Sequence, residues 1–189
     1  MATINERLDQ IIPKIKEEKF LEGRGLGNEI SFYIFDYDPE DELLVRDYIK
    51  VIKNEFSIES YNRKIIEFDL YKMMIDFAKE MGIFEDIFEM EKLEGKDYLY
   101  KTLQEFVEPT IFLERIQEES EDYNTIFITG VGKVFPFLRS HTILNNLQET
   151  IEGKPVILFF PGVYDGQSLS LFGKLKDDNY YRAFQLIER

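Results

Sequence analysis

Apolar residues follow two rhythms along this chain. Short apolar runs occur at residues 30–35 (ISFYIF), 64–68 (KIIEF), 125–129 (TIFIT) and 155–160 (PVILFF). Each is too short for a buried helix and is bounded by Gly, Pro or polar residues, so each reads as strand. Between them the spacing is helical. Leu44, Val45, Tyr48, Ile49, Ile52 and Phe56 mark one amphipathic helix. Leu70, Met73, Met74, Phe77, Ala78 and Met81 mark a second, stopped by Gly82. Ile143, Leu144, Leu147 and Ile151 mark a third, stopped by Gly153. Phe84, Ile87, Phe88, Tyr98, Leu99, Leu103, Phe106 and Val107 predict more helix, interrupted near Gly95, and residues 112–119 predict another. At the start, Thr3 and Glu6 have capping-box spacing before the stripe Ile4, Leu8, Ile11, Ile12, Ile15, and Pro13 should break that helix. After Gly162 come a polar turn (YDGQS), an apolar stretch at 169–172, a second turn (KLKDDN) and YYRAFQLI, which reads as a closing edge strand.

Two nearly apolar strands joined through a helix, as at 125–160, form a βαβ unit whose strands are covered on both faces. The chain is therefore expected to be α/β, a three-layer sandwich with a mostly parallel central sheet. One α/β domain over residues 1–189 accounts for the pattern, with an N-terminal helical segment (about 1–22) and an acidic helical insertion (about 84–120). Functional loops in such folds gather beyond the carboxyl ends of the strands, here residues 36–41, 129–133 and 161–166.

Composition narrows the function. There is no Cys, which excludes a disulfide framework, a thiolate zinc site and a thiol nucleophile. The first twenty residues lack a signal-peptide core, and no run approaches the ~20 apolar residues of a membrane span. A cytoplasmic protein without a membrane segment is expected. The net charge of −14 opposes phosphate backbones and disfavours direct DNA binding. Residues 85–122 hold much of the acid, either as a solvated helical face or as a docking surface for a basic partner.

Several side-chain groups could carry chemistry. The loop GRGLGN (23–28) precedes a strand, whereas a phosphate loop must follow one and open a helix. Thr129-Gly130-Val131-Gly132-Lys133 does follow a strand, but it is short and lacks Ser or Thr after the Lys. Tight-turn geometry explains the glycines of both. Asp36 and Asp38, spaced i, i+2 at a strand end, could hold Mg²⁺. They resemble the first motif of haloacid-dehalogenase-type phosphatases, with Asp36 as nucleophile and Asp38 as general acid. Pro39-Glu40 departs from that motif, and Asp177-Asp178 does not follow a good apolar strand. Strand ending and helix capping by Asp38 are the plainer reading. His141 is the chain's one His and has no evident Ser–acid partners; Ser140 or Thr142 would cap its helix. Arg139 suits carboxylate or phosphate recognition, or an internal ion pair. Tyr180, Tyr181 and Arg182 have an interface composition, with aromatic packing that closes the fold as the alternative. Lys133, Arg139, Lys174, Lys176 and Arg182 would form a nucleic-acid surface only if they cluster.

With these residues laid out, the whole chain resembles the BrxB family of bacterial BREX (bacteriophage exclusion) systems. The segments that carry the resemblance are GLGNEISFYIFDYDPEDELLVRDYI, ITGVGKVFPFLRSHTILNNLQ, KPVILFFPGVYDGQSLSLFG and KLKDDNYYRAFQLI, in this order and spacing. The resemblance implies a cytoplasmic component of host defence against phage, in a system that pairs host adenine methylation with arrest of phage DNA replication. It implies partners among an alkaline-phosphatase-like protein, a methyltransferase and a large ATPase. It implies a core similar to P-loop ATPase domains without the phosphate-binding motif, no cofactor, and no catalytic residue set. The leading expectation is thus a non-enzymatic adaptor that binds partners through the acidic helices or through Arg139, Tyr180, Tyr181 and Arg182. The alternative is a Mg-dependent phosphohydrolase or nuclease using Asp36 and Asp38.

Overall fold

The four apolar runs lie side by side in one sheet. The computed structural model describes residues 2–21, 32–57, 63–151, 153–177 and 179–189, and for residues 21, 140, 141, 148 and 149 the backbone alone. GRGLGN and Asp178 therefore lie outside the described residues, as do the side chains of Ser140 and His141. The strands are β1 (Phe32–Tyr37), β2 (Ile65–Asp69), β3 (Thr125–Thr129), β4 (Val156–Tyr164), β5 (Leu169–Leu171), β6 (Leu175–Lys176) and β7 (Phe184–Gln185). Their order is β2-β3-β4-β1-β7, parallel throughout. β5 and β6 add antiparallel to the far end of β4.

Strand period 2 sorts the apolar residues into two cores. Phe32, Ile34, Ile126, Ile128, Val156, Leu158 and Phe160 face one side, and Tyr33, Phe35, Tyr37, Phe127, Ile157 and Phe159 the other. The second face is covered by α1 (Ile4–Asp9), α2 (Ile11–Lys16), α3 (Glu18–Leu21) and α4 (Glu42–Phe56). The first is covered by α5 (Leu70–Glu80) and, after α6 (Phe84–Glu94) and α7 (Lys96–Phe106), by α8 (Pro109–Glu119), α9 (Val131–Val134) and α10 (Ser140–Thr150). The result is a mixed α/β fold, a mostly parallel sheet flanked by helices. Coverage on both faces is why the central strands carry almost no polar alternation.

The helix boundaries follow local chemistry. Thr3 and Glu6 form a complete capping box. α1 ends at Asp9, four residues before Pro13 of α2: a prolyl ring has no N–H to give the Asp9 carbonyl and would collide with it. Asp69 caps α5, its carboxylate accepting from the N–H groups of Tyr71 and Lys72 at 3.1 and 3.2 Å. No residue of α6 or α7 is fully buried: this acidic hairpin touches the edge of the core through Phe106, and through Tyr100 against Phe137, while α8 inserts Phe112 and Ile116 into it.

Two strand ends differ from expectation. β1 was expected to end at residue 35, yet Asp36 and Tyr37 stay in the ladder opposite Phe160 and Pro161. β4 was expected to end at 160 but runs on to Tyr164. Pro161 donates no hydrogen bond, but its carbonyl accepts from the Phe172 N–H at 2.8 Å, and Gly162 leaves room for β5.

Gly162 is the tightest point of that crossing. A Cβ there would stand 2.2 Å from the Ser170 carbonyl oxygen and 3.0 Å from the Phe172 nitrogen, both backbone atoms. Gly162→Ala should therefore destabilise the fold by about 1–3 kcal/mol, read as a lower urea midpoint; an unchanged midpoint would show that the β4–β5 crossing yields freely.

Candidate functional site

The carboxyl end of β1 holds the one charged group buried completely among the described residues. Asp36 is 0 % exposed. Its Oδ1 accepts from Arg7 Nη2 at 3.1 Å and Gln185 Nε2 at 3.3 Å. Its Oδ2 accepts from Arg189 Nε at 2.7 Å and the Tyr164 N–H at 3.2 Å. A carboxylate offers about four lone-pair sites, and four donors occupy them. Arg7 also donates to the Asp36, Ile187 and Glu188 carbonyls and lies over the Phe35 ring at 4.8 Å. Burial pushes the Arg7 guanidinium downward against the Asp36 carboxylate, which holds it charged. Arg189 is itself part-buried, a cost outweighed by Asp36 and Asp38, which together push it upward. It bridges Asp36 to Asp38 Oδ1 (3.1 Å) and to the Gly162 carbonyl (2.6 Å).

This donor set does not fit a divalent cation. Mg²⁺ needs carboxylate oxygens facing an open position, and two guanidinium groups already neutralise Asp36. Asp38 is exposed and shares Arg189; it starts a 3₁₀ turn at Pro39–Asp41 without a side-chain capping bond. Asp165 is turned onto its own loop, accepting from the Gln167 N–H (2.9 Å), the Ser168 N–H (2.6 Å) and the Ser168 hydroxyl (2.8 Å). Those bonds, led by the Ser168 N–H, pull its carboxyl down to about 2. Among the described residues no three His, Cys, Asp or Glu side chains converge as metal ligands do.

The turn after β3 is also closed internally. Gly130 adopts φ 75°, and a Cβ on it would meet Asp69 Oδ1 at 2.2 Å. Lys133 Nζ binds Asp69 Oδ2, and Gly132 packs under Pro161 and Phe172. The lysine that a phosphate would need already has its anion.

The remaining expected residues separate. Tyr181 is 1 % exposed; its hydroxyl donates to Asp177 Oδ2 at 2.6 Å, and burial followed by that bond pushes it well above the ordinary tyrosine value. Tyr180, at 67 % exposed, and Arg182 face solvent on either side of it. Of the five basic residues, Arg139, Lys174 and Lys176 line one cleft, Lys133 sits at Asp69, and Arg182 is outside the lining.

Sequence reasoning did not single out Arg7, Arg189 or Asp69. Asp69 was detectable as an acid placed just before an apolar helix. Arg7 and Arg189 had no local signal, since their partner is 29 and 153 residues away.

Comparison with known proteins settles the relationship. A profile described as "BrxB: BREX protein BrxB" matches residues 66–186. A "BREX protein BrxB" of Bacillus cereus (strain H3081.97) is 47 % identical over 193 residues, covering 100 % of both chains. The chain belongs to the BrxB family. A second BrxB protein, from Escherichia coli O9:H4 (strain HS), is 33 % identical over 186 residues, covering 96 % of this chain and 90 % of its own. No solved structure matches. BrxB membership makes the protein a BREX component and supports a role in anti-phage defence. No helix among the described residues is long and apolar enough to cross a membrane.

Two predictions follow from the geometry. Asp36→Asn leaves the Arg7 guanidinium buried without its anion and should cost about 3–5 kcal/mol. Asp38→Asn, at an exposed pair, should cost under about 1 kcal/mol. Equal urea midpoints for the two variants would contradict the buried network. The Asp165 carboxyl, depressed in the folded state, stabilises its turn fully above about pH 4 and loses that contribution as pH falls toward 2. Carboxyl carbon NMR should place its midpoint near 2, and a midpoint near the ordinary ~3.9 would show the loop bonds to be absent.

Proposed function

We propose that this BrxB protein is a non-enzymatic adaptor of a BREX assembly, acting in the cytoplasm through protein–protein contacts. The observation that carries this reading is the saturation of Asp36. The residue best placed to act as nucleophile or metal ligand is buried and holds four donors from its own chain. The internal pairing of Lys133 with Asp69 supports it further.

The contact surface in this reading is the insertion over residues 84–120. Its α6–α7 hairpin exposes Phe88, Leu93 and Tyr98 among Glu85, Asp86, Glu89, Glu91 and Glu94. Apolar anchors ringed by one sign of charge suit a partner with a basic rim and an apolar centre. Tyr180 and Arg182 form a second, smaller contact. The partners are other BREX proteins: the alkaline-phosphatase-like protein, the methyltransferase or the large ATPase.

Size-exclusion chromatography of the purified protein with each BREX component tests this. Co-elution with at least one at micromolar concentration is expected. The triple variant Glu85→Lys/Phe88→Ser/Glu89→Lys, on a hairpin with no buried residue, should weaken that complex at least tenfold and leave the thermal midpoint in place. Elution alone from every component overturns the adaptor reading.

A further inference from the structure

A cleft of about 600 Å³ opens beside the β5–β6 hairpin, floored by Phe135, Phe160, Leu169 and Leu171. Its rim carries Arg139, Lys174 and Lys176, a concentration of positive charge on a chain of net charge −14. Among the described residues none of the three makes an ion pair within 4 Å, and the carboxylate whose charge acts on the rim from outside the cleft is Asp165, beside Lys176. The carboxylate in the lining, Asp177, is tied to the Tyr181 hydroxyl and to the Asn179 backbone and side chain. Two further features point into this place. The β5–β6 turn, which carries Lys174 and leads into Lys176 of β6, holds Phe172 at φ 57°, a region that bulky residues rarely adopt, so the hairpin keeps both lysines at the rim against a conformational cost. Arg139 occupies the N-cap of α10 and gives it no side-chain capping bond, so the cationic end of that helix adds to the same field.

We propose that this cleft binds a nucleoside polyphosphate. The volume is that of one small ligand. Three cations and a helix N-terminus suit a chain of phosphates, with the Arg139 guanidinium able to take two phosphate oxygens at once. Phe135 and the exposed Leu175 offer an apolar wall for the base, and Asn179 an amide for its edge. A long polyanion is a poorer occupant, because beyond the cleft it would run over an acidic body. This site is separate from the β3 turn, which Asp69 fills.

Isothermal titration at low salt with ATP, ADP and AMP tests the assignment. Tripolyphosphate serves as the pure charge control, and an oligoglutamate peptide and a short oligothymidylate as competing classes. One-to-one saturable binding is expected, tightest for ATP, at least tenfold weaker for tripolyphosphate and weakened by salt. Lys174→Glu/Lys176→Glu should lose at least tenfold, Arg139→Gln should lose affinity from a different element, and Lys174→Arg/Lys176→Arg should stay within a few-fold of the parent. The lysines are exposed, so an unchanged thermal midpoint separates lost binding from lost folding. No saturation at millimolar ATP overturns the proposal. So does tripolyphosphate binding as tightly as ATP, tighter binding of the peptide or the oligonucleotide, or indifference to the charge reversals.

Discussion

The fold turns on one buried carboxylate. Asp36 draws Arg7 from the first helix, Arg189 from the far end of the sequence, and the Tyr164 N–H from the extension of β4. These groups are distant in sequence, so closing them together costs chain entropy that the local elements cannot recover by themselves. Buried ion pairs add little net stability over apolar replacements, but removing one partner is costly. The charges therefore fix which segments meet, and the apolar faces above and below the sheet supply most of the driving force. Arg7 joins the two roles, since its guanidinium reaches Asp36 while lying over Phe35 in the second core.

Much of the layering was legible in the residues. Apolar runs without alternation predict strands covered on both faces, and β3 and β4 with α10 between them bear this out. Thr3 and Glu6 announce their capping box because the motif is local. Legibility fails where a partner is remote. Asp36 reads as a strand terminator beside Pro39, and nothing nearby shows that residues 164, 185 and 189 will return to satisfy it. The early stop placed in β4 has the same origin. Pro161-Gly162 is ordinarily punctuation, but here the proline carbonyl and the bare glycine serve a neighbouring strand. Tyr181 and Tyr180 are identical in local context, and the fold alone separates a core residue from a solvent-facing one.

Two strand-end features that resemble parts of enzymes share one physical outcome. At β1 an acid pair meets two arginines, and at β3 a glycine-lysine turn meets an aspartate. In each case the charge that would have engaged a cation or a phosphate is neutralised by the chain itself. The loops beyond the carboxyl ends of these strands lie where α/β proteins bind ligands, so the position alone does not decide the chemistry. Pairing decides it. A group with all its hydrogen-bond sites filled, away from water, gains nothing by exchanging them for a substrate.

The same criterion applied to the rest of the surface separates two further regions. The α6–α7 hairpin carries acid and exposed aromatic groups without fully burying a residue, so much of its surface is available to a partner. The cleft beside β5 and β6 carries the opposite charge, with Arg139, Lys174 and Lys176 outside the ion pairs made by the described residues. Like charges held close repel, and here a turn with a left-handed phenylalanine holds two of them in place. The chain relieves that repulsion in part, through Asp165 beside Lys176 and Asp177 in the lining, but closes no ion pair on any of the three cations. An anion entering from outside would relieve the rest, and the apolar floor favours an anion that also carries a ring.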